Sequence, residues 1–449
     1  MLTVKDKIVG VLGLGKSGQA AIRLLLKKGV REVYGVDCRR IKGLRPVRKV
    51  KFFFGPEEKF LGRIAGVDFL IKSPGVPPDN ILLQFARKKG KEIFSELSLG
   101  LQFCRPAKII AVTGTNGKTT TASLISHLLT RAGLPAVLAG NIGQPLTGLV
   151  EKISATTILV LEVSSYQLSD TTDFHPDIAV VLNITPDHLQ HHRSFSEYVQ
   201  AKKLITANQD QRDYLILNAD DKIVREIRTQ AKKYYFSVCR RPFNGIYWKE
   251  NNFVLVKNGQ VQARLPGDCL KLPGQHNQEN AMAAILAVNL CKVHPGLISR
   301  HLRSFSGVEH RLQNIGSYRG VTYINDSKAT NVASTIVALN SFPGKNIWLI
   351  LGGLGKGSSY RPLRPLIRQK VKGILLIGQD SPRIENDLDG TATIYKCQTL
   401  KRAVSLAASQ AEKGDIVLLS PACASFDQFR NFEERGQVFA RLARQLGVR

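Results

Sequence analysis

Short apolar runs alternate with amphipathic stretches along this chain, a pattern that predicts alternating strands and helices. Near the start, strands are predicted at Lys7 to Leu12 and Glu32 to Val36, with a helix at Gln19 to Lys28 between them. A second series of this kind begins near Ala107, and a third follows a predicted helix at Gln278 to Cys291. Because strands joined through helices run parallel, each series predicts a unit of the α/β class.

The remaining predicted strands extend these series along the chain. They lie at Val67 to Lys72, Ile109 to Val112, Ile158 to Val163, Ile178 to Leu182, Tyr214 to Leu217, Tyr323 to Asn325, Ile347 to Leu351, Gly373 to Ile377 and Ile416 to Leu419. Breaks near Cys104-Arg105-Pro106 and near Ser306-Gly307 predict three domains, covering residues 1–104, 105–306 and 307–449. Ligands of parallel α/β sheets bind beyond the carboxyl ends of the strands, which is where chemistry is expected.

The composition is that of a folded protein with an unusual charge. Of 449 residues, 43% are hydrophobic and 22% are charged, which excludes an intrinsically disordered chain. No apolar run is long enough for a membrane-spanning helix, so membrane insertion is not expected. The net charge of +29 raises the hypothesis of nucleic-acid binding. Beyond one dense stretch from Asp37 to Lys51 the basic residues are scattered and not interleaved with aromatic residues, so no specific nucleic-acid site is expected.

The cysteines carry information about the compartment. There are seven of them, at positions 38, 104, 239, 269, 291, 397 and 423, and no two form a CxxC pair. An odd number without paired spacing indicates neither a disulfide framework nor a zinc ribbon. The sequence therefore predicts a reducing, cytoplasmic location.

A glycine-containing loop stands between a predicted strand and a predicted helix of the second series. Its residues are Gly114, Thr115, Asn116, Gly117, Lys118, Thr119 and Thr120. In such a loop, backbone N–H groups and the helix N-terminus hold a polyphosphate, the lysine neutralises its terminal charge and the following hydroxyl binds Mg²⁺. Val112 stands where the strict pattern has glycine, so the loop is a variant of the phosphate-binding loop.

Polar residues follow two further predicted strands of the same series. Glu162 ends one strand, and Asn183 to His188 follows the other. A carboxylate at Glu162 suits Mg²⁺, which takes one or two protein oxygens together with phosphates and water. His188 is a candidate metal ligand with His191 and His192 close by, although such clusters are also common on protein surfaces. No HExxH or Cys/His spacing indicates zinc.

The first series carries a glycine motif of its own. Gly13-Leu14-Gly15-Lys16-Ser17-Gly18 follows the first strand, and Asp37 ends the next strand. Taken alone, this GxGxxG spacing predicts a dinucleotide site, such as that of an NAD-linked dehydrogenase. The same geometry binds any diphosphate, so the motif leaves the ligand open.

Taken together, these motifs resemble the Mur ligase family of ATP-dependent amide-bond-forming enzymes. The further matching stretches are Gly140-Asn141-Ile142-Gly143, Glu162 to Gln167, Asn218 to Asp221, Gly274 to Asn277 with Asn280, and His310-Arg311. The stretches similar to the branch of the family that adds D-glutamate are Ser73 to Pro77, Asn325 to Asn331, Gly352 to Gly357 and Ser420 to Phe429. The resemblance covers nearly the whole chain.

The resemblance implies a fold and a reaction. The expected fold has a Rossmann-like N-terminal uridine-nucleotide domain, a central P-loop ATPase-like domain and a Rossmann-like C-terminal domain that binds the amino acid. The carboxylate of UDP-N-acetylmuramoyl-L-alanine would attack the γ-phosphate of ATP, and the amine of D-glutamate would then attack the acyl phosphate. Such an enzyme is expected to act as a cytoplasmic monomer in peptidoglycan precursor synthesis.

The resemblance also implies an ATP and metal site. The expected ATP contacts are the loop residues with Asn280, Arg311 and Asp326, which come from different domains, so closure of the third domain would complete the site. Two Mg²⁺ ions are expected. The expected catalytic residues are Lys118, Glu162, His188 and Lys202. Thr119 and Glu162 would hold the first ion, and His188 and Lys202 the second.

A cationic lysine cannot bind Mg²⁺, so the resemblance implies that Lys202 is carbamylated by CO₂. Lys202 lies four residues after Tyr198 on a predicted helix, as the family pattern places it. Lys203 is the neighbouring candidate, and an unmodified lysine on the surface is the other reading.

The resemblance alone implies two sets of substrate-binding residues. Residues expected to bind the UDP substrate are Lys16, Ser17, Asp37, Arg39, Ser73, Gly75, Asn141, Ser164, Gln167 and His188. Residues expected to bind D-glutamate are Lys328, Thr330, Lys356, Ser425 and Phe432. The chain departs from the family at Leu354, where aspartate is common, and at Cys38, where a more polar residue is common.

Three alternatives stay open at this point. A folylpolyglutamate synthase shares the phosphate loop and the modified lysine but should lack the Asp326 to Asn331 motif and the uridine domain. An NAD dehydrogenase needs no phosphate loop. A nucleic-acid binder should bind in a salt-sensitive way without ATP turnover.

Overall fold

Two compact units make up the chain, and three sheets form their frameworks. The computed structural model describes residues 2–41, 44–187, 192, 194–272, 274–355 and 357–448. The first unit comprises Met1–Leu270 with Gln278–Ser304, and the second comprises Lys271–Asn277 with Phe305–Arg449. Among the described residues, no helix combines the length and the apolar character that crossing a bilayer requires.

A five-stranded parallel sheet opens the first unit. Its strands are β1 (Ile8–Leu12), β2 (Glu32–Asp37), β3 (Val50–Phe54), β4 (Phe69–Lys72) and β5 (Glu92–Ser95). They are arranged in the order β3-β2-β1-β4-β5. The helices are α1 (Lys16–Lys27), α2 (Leu61–Ala65), α3 (Ile81–Lys88) and α4 (Glu96–Gln102). The strand order reverses direction between β1 and β4, which is where open α/β sheets bind ligands.

A nine-stranded sheet forms the rest of the first unit. Its strands are β6 (Lys108–Thr113), β7 (Ala136–Gly140), β8 (Ile158–Glu162), β9 (Ile178–Val181), β10 (Tyr214–Asn218), β11 (Lys232–Ser237), β12 (Gly245–Lys249), β13 (Asn252–Lys257) and β14 (Gln260–Pro266). The order is β14-β13-β12-β11-β10-β9-β6-β8-β7. Only the pairs β12–β13 and β13–β14 are antiparallel within the described residues. The helices are α5 (Lys118–Arg131), α6 (Ser165–Ser169), α7 (Phe195–Lys203), α8 (Lys222–Arg225), α9 (Gln275–Leu290) and α10 (Pro295–Leu302).

The second unit has a six-stranded sheet. Its strands are β15 (Gln313–Tyr318), β16 (Val321–Asn325), β17 (Ile347–Gly352), β18 (Val371–Ile377), β19 (Thr393–Gln398) and β20 (Ile416–Leu419), in the order β15-β16-β20-β17-β18-β19. Only β15 pairs in the antiparallel sense among the described strands of this sheet. The helices are α11 (Val332–Asn340), α12 (Arg364–Lys370), α13 (Ser381–Leu388), α14 (Leu400–Gln410) and α15 (Phe432–Gln445).

One buried hydrophobic cluster runs through both sheets of the first unit, from Val9 of β1 to Leu217 of β10. Helix α4 packs closely at this junction, since a Cβ on Gly100 would lie 2.6 Å from Cγ of Leu146. The buried Glu96 accepts the N–H and the hydroxyl of Thr147 at 2.7 and 2.6 Å. These contacts explain why two sheets form one unit.

The predicted α/β class with mainly parallel sheets is confirmed. The division into three domains stays a prediction, because the first two predicted domains lie in one compact unit. The sequence analysis did not predict the strands β3, β5, β7, β11 to β15 and β19.

Candidate active site

The glycine-containing loop between β6 and α5 has the backbone of a phosphate-binding loop. Gly114 and Gly117 have φ angles of 153° and 85°, which residues with a side chain rarely adopt. Gly117 also has no space for a side chain, because a Cβ there would lie 2.2 Å from Oδ1 of Asn280. Val112, which replaces the glycine of the strict pattern, is buried within β6. The loop therefore begins only after the strand has ended.

The loop is fastened to the residues that follow the neighbouring strand β9. The N–H of Thr115 donates to the carbonyl oxygen of Asn183 at 2.8 Å, and the N–H of Asn116 donates to the side chain of Asn183, also at 2.8 Å. The amine of Lys118 donates to the carbonyl oxygens of Gly114 and Thr115, each at 2.8 Å. Lys118 is thus held across the loop, where phosphate oxygens could replace these carbonyl oxygens.

Glu162 ends β8 and lies beside β6, in register with Val112. Its side chain is buried, and Oε1 accepts the side-chain amide of Asn141 at 3.1 Å. Oε2 is also buried and has no hydrogen-bond partner within the described part of the chain. A buried carboxylate oxygen in this state is costly unless a donor or a cation reaches it. With the hydroxyl of the buried Thr119 at the start of α5, this oxygen fits a hard cation such as Mg²⁺.

Lys202 lies on α7 and is only 1% exposed. Its amine donates to the carbonyl oxygen of Gly114 at 2.9 Å and lies 4.7 Å from the ring centroid of Tyr198. Burial lowers the pKa of Lys202 well below its usual range, and the positive charge of Lys118 lowers it further, whereas Asp187 and Glu162 act in the opposite direction. The amine is therefore biased toward its neutral form and lies against the phosphate-loop backbone.

Of the remaining residues predicted for the ATP and metal site, the structure describes some and not others. Asn280 on α9 lies at the loop, where its Oδ1 accepts the hydroxyl of Thr121 at 3.2 Å. Thr120 is buried in the first turn of α5. His188, predicted to bind metal and substrate, lies outside the described residues, as does His191. The neighbouring His192 is buried and lies 2.9 Å from the hydroxyl of Ser165.

The turn after β1 is built by its glycines and by Asp37. Gly13 has a φ of 80°, and a Cβ on Gly18 would lie 1.9 Å from the carbonyl oxygen of Gly13. Asp37 accepts the N–H groups of Leu14 and Arg39 at 2.8 and 3.0 Å. The carboxylate therefore fixes the turn from which Lys16 and Ser17 begin α1.

The other predicted substrate residues border the same edge. Ser73 donates to the carbonyl oxygen of Gly13 at 2.7 Å, and Gly75 is exposed with open space around it. Ser164 caps α6 through a reciprocal pair of hydrogen bonds with Gln167. These two side chains thus have a structural role in addition to the predicted one.

An ion pair joins the two sheets of the first unit at this edge. The amine of Lys72, the last residue of β4, contacts the carboxylate of Asp170, which directly follows α6. The side chains are 2% and 16% exposed. The pair therefore brings Ser73 and α6 close together. Sequence reasoning missed this pair, because nothing in the sequence indicates which strand-end lysine is buried.

Removing one partner of this pair is expected to destabilise the first unit. Asp170→Asn leaves a buried cation without its partner, so the free energy of unfolding should fall by about 3 kcal/mol. Glu151→Gln removes the partner of Lys27 in an exposed pair, with side chains 60% and 69% exposed, and should leave the free energy of unfolding almost unchanged. Urea denaturation of both variants measures the difference in the free energy of unfolding. Equal losses in the two variants would contradict the claim that the buried pair stabilises the unit more than the exposed pair does.

Asp326 is the acidic residue among the predicted ATP contacts, and it is buried. Its carboxylate accepts the hydroxyl of Ser420 at 2.8 Å and the N–H of Leu312 at 3.2 Å. Burial raises the pKa of Asp326 to about 7, although Ser420 and the charge of Arg311 lower it. Arg311 also acts with burial to lower the pKa of His276 to about 4. The second unit thus places Arg311, Asp326 and His276 near one another.

The raised pKa of Asp326 predicts how stability depends on pH. The folded state holds this proton more tightly than the unfolded chain does, so the contribution is complete at acidic pH and lost as the pH rises toward 7. The loss should be of the order of 4 kcal/mol. Asp326→Asn cannot titrate, so its urea stability should fall less than that of the parent between about pH 4 and about pH 8. Parallel pH dependence in the two proteins would contradict the assignment.

The described residues of the predicted D-glutamate set follow β16 and β20, which are neighbours in the sheet. The amine of Lys328 lies 5.6 Å from the ring centroid of Phe432. The N–H of Thr330 donates to the carbonyl oxygen of Lys328 at 2.9 Å, and Ser425 is buried beyond β20. Lys356 lies outside the described residues. Leu354, the departure from the family pattern, exchanges backbone hydrogen bonds with Ala424.

Arg435 is the residue of this region that sequence reasoning missed. It lies on α15, is fully buried and donates to both the hydroxyl and the carbonyl oxygen of Ser327, at 3.0 and 2.9 Å. It also donates to the carbonyl oxygens of Cys423 and Ala424, at 3.1 and 3.3 Å. Arg435 therefore ties the residues after β16 to those after β20. In the sequence, Arg435 is just one of several arginines in an amphipathic helix, and nothing there indicates that it is buried.

Comparison with known proteins gives a consistent picture. The profile of the Mur ligase middle domain matches residues 112–288, and that of the Mur ligase glutamate ligase domain matches residues 310–423. Among solved structures, UDP-N-acetylmuramate-alanine ligase MurC from Thermotoga maritima has a TM-score of 0.64 at 18% identity, covering 98% of this chain and 99% of its own. MurF ligase from Thermotoga maritima in complex with ADP has a TM-score of 0.62 at 17% identity, covering 98% and 96%. These structures support the fold.

Two curated relatives match over nearly their full lengths. UDP-N-acetylmuramoylalanine–D-glutamate ligase of Elusimicrobium minutum is 40% identical, with 98% of this chain and 98% of the relative covered. The enzyme of the same name from Acidobacterium capsulatum is 42% identical, with 98% and 96% covered. Since such relatives match the chain from end to end and two family profiles fit its phosphate-loop and C-terminal regions, the chain belongs to the Mur ligase family.

Proposed function

We propose that this protein is an ATP-dependent ligase that joins D-glutamate to UDP-N-acetylmuramoyl-L-alanine in peptidoglycan precursor synthesis. One observation carries the proposal. At the carboxyl edge of the nine-stranded sheet, Lys118 and Lys202 both donate to the phosphate-loop carbonyl of Gly114. Beside the same strand β6, β8 places the oxygen of Glu162 for which the described residues offer no hydrogen-bond partner. The names of the full-length relatives supply the substrates.

The chemistry explains why such a site is needed. A carboxylate is a poor electrophile, so its oxygen first attacks the γ-phosphorus of ATP and ADP leaves. The amine of D-glutamate then attacks the acyl carbon, loses a proton and expels phosphate, which forms the amide. Both reactants are anions, so the site must concentrate positive charge where they meet. Lys118, held across the loop, is the residue that we assign to the terminal phosphates of ATP.

The donor set at the loop fits magnesium. Thr119 and Glu162 would hold one ion, and His188 with a modified Lys202 would hold the second. Bound Mg²⁺ neutralises phosphate charge and thereby makes the γ-phosphorus accessible to an anionic nucleophile. The buried Oε2 of Glu162, which has no hydrogen-bond partner among the described residues, supports this assignment on chemical grounds.

Carbamylation of Lys202 is the part of the proposal that the local environment supports most specifically. Only the neutral amine reacts with CO₂, and burial beside Lys118 lowers the pKa of Lys202 strongly. The carbamate would carry a negative charge between two cationic neighbours, Lys118 and the metal. The adjacent Lys203 is partly exposed and lacks this environment.

We assign the substrates to the three predicted domains. The UDP moiety would bind at the turn after β1 and at Ser73 and Gly75, with Asn141, Ser164 and Gln167 contributing from the central sheet. The exposed side chain of Lys16 and the hydroxyl of Ser17, at the start of α1, suit a pyrophosphate. D-Glutamate, which has two carboxylates, would bind near Lys328, Thr330, Ser425 and Phe432. We further propose a cytoplasmic monomer, which sedimentation would test.

The experiment is a phosphate-release assay with purified protein. Release from ATP should require both UDP-N-acetylmuramoyl-L-alanine and D-glutamate, and L-lysine or meso-diaminopimelate should not replace D-glutamate. Lys118→Ala should abolish release. Phosphate release that is indifferent to the muramoyl substrate, or that prefers a diamino acid, would overturn the proposal.

A further inference from the structure

A second cavity lies in the first unit, away from the phosphate loop. It has a volume of about 800 Å³ and lies between the β12–β14 strands and the helices α9 and α10. Asn280, near the start of α9, contacts the phosphate loop, whereas Asn289 and Leu290 at the end of α9 line the cavity. Nine residues of helix separate Asn280 from Asn289, which is about 14 Å along the axis. The cavity is therefore distinct from the proposed ATP site.

The lysine and arginine side chains that line the cavity give it positive charge. Lys257, Arg264 and Lys292 line it, and no Asp or Glu does. Within the described residues, none of these three cations forms a salt bridge with a carboxylate. Like charges held around one concave surface without counter-ions raise the local concentration of anions. The electrostatics of this cavity therefore favour an anionic ligand.

The wall of the cavity combines polar residues with aliphatic and aromatic ones. Tyr214 and Tyr234 line it and pack edge to face, with centroids 5.9 Å apart. The register of β13 against β14 shifts between Leu255 and Val256, and both residues line the cavity. A β-bulge of this kind redirects side chains and is common beside binding sites. The cavity therefore offers two tyrosine rings and aliphatic side chains next to its charged residues, which suits a ligand with a planar or apolar part as well as a charge.

We propose that this cavity binds a small organic phosphate ester with an apolar or planar body, at a site separate from the proposed catalytic centre. Its volume lies in the range of small-molecule sites. The three cations would contact the phosphate, and Tyr214, Tyr234 and Leu255 would contact the body. The proposal does not depend on the substrates of the ligase reaction.

The test uses 4-methylumbelliferyl phosphate, a fluorescent phosphate ester with a planar ring, titrated into the full chain saturated with Mg²⁺ and ADP. The cavity variant is Lys257→Gln with Arg264→Gln and Lys292→Gln. A matched control, Lys222→Gln with Arg228→Gln and Arg300→Gln, removes the same charge from exposed positions of the same unit. Ala263→Phe fills the cavity without changing the charge. Inorganic phosphate and uncharged 4-methylumbelliferone, used as competitors, separate the contributions of charge and ring.

The proposal expects saturable binding at one site. The cavity variant and Ala263→Phe should each raise Kd at least about tenfold, while the charge-matched control should change it less than about twofold. Absence of saturable binding would overturn the proposal. Equal weakening in the two triple variants, or unchanged binding in Ala263→Phe, would also overturn it, because the probe would then be held by general surface charge.

Discussion

Lys202→Ala should lower the rate of amide formation by about a thousandfold, and short carboxylic acids such as formate or acetate should restore part of it. The lost group is the negative charge that a carbamate on Lys202 would supply. The buried position of Lys202 against the carbonyl oxygen of Gly114 leaves space for a small carboxylate once the side chain has been removed. The measurement is the initial rate of amide formation as a function of the concentration of added acid.

The adjacent Lys203→Ala is the matched control and should retain activity. A second readout does not depend on turnover. Under ¹³CO₂, a carbamate carbon signal should appear in the NMR spectrum of the parent and of Lys203→Ala and should be missing from Lys202→Ala. Full activity of Lys202→Ala without any added acid would remove this residue from the mechanism.

Glu162→Gln is expected to weaken metal binding and turnover together. The substitution keeps the shape of the side chain and its contact with Asn141. It removes the charge from the buried oxygen to which no described residue donates a hydrogen bond. Loss of a residue outside the ligand set already costs 10–100-fold in metal affinity, so loss of a ligand should cost at least about 100-fold. Titration of Mn²⁺ in the presence of ADP, followed by electron paramagnetic resonance, measures this directly.

Glu151→Gln provides the control for Glu162→Gln. Glu151 is an exposed acid paired with Lys27, so its loss changes the net charge equally and should leave Mn²⁺ affinity unaltered. If Glu162→Gln bound Mn²⁺ as tightly as the control, Glu162 would not be a metal ligand and its buried oxygen would need another explanation.

The sequence analysis missed every edge strand, together with the interior strands β11, β12 and β13 of the nine-stranded sheet. The strands at the edges of the three sheets are β3 and β5, β7 and β14, and β15 and β19, and none was predicted. Interior strands such as β8 and β17 are buried at every position and give continuous apolar runs. Edge strands are partly exposed, as in β14, so their sequences lack such runs. Burial therefore accounts for the missed edge strands but not for β12 and β13, which are mostly buried and were still missed.

In the candidate site, too, the sequence indicated some residues and missed others. The positions of Lys118 and Glu162 beside one another follow from the sequence, because the motifs place them at strand ends and a parallel sheet gathers strand ends at one edge. Asn280 lies on a helix, and only the family resemblance indicated it. Lys72, Asp170 and Arg435 could not be predicted. Their roles depend on partners distant in the sequence, such as the pairing of Lys72 with Asp170, and no local pattern distinguishes a buried cation from a surface one.

The measurement that tests the central claim most directly follows oxygen from the substrate carboxylate. UDP-N-acetylmuramoyl-L-alanine labelled with ¹⁸O in its alanyl carboxylate should transfer one labelled oxygen to the released phosphate, since that oxygen forms the bond to the γ-phosphorus and leaves with it. Phosphate that carries oxygen from water alone would contradict the account, because ATP would then be hydrolysed without activating the acid.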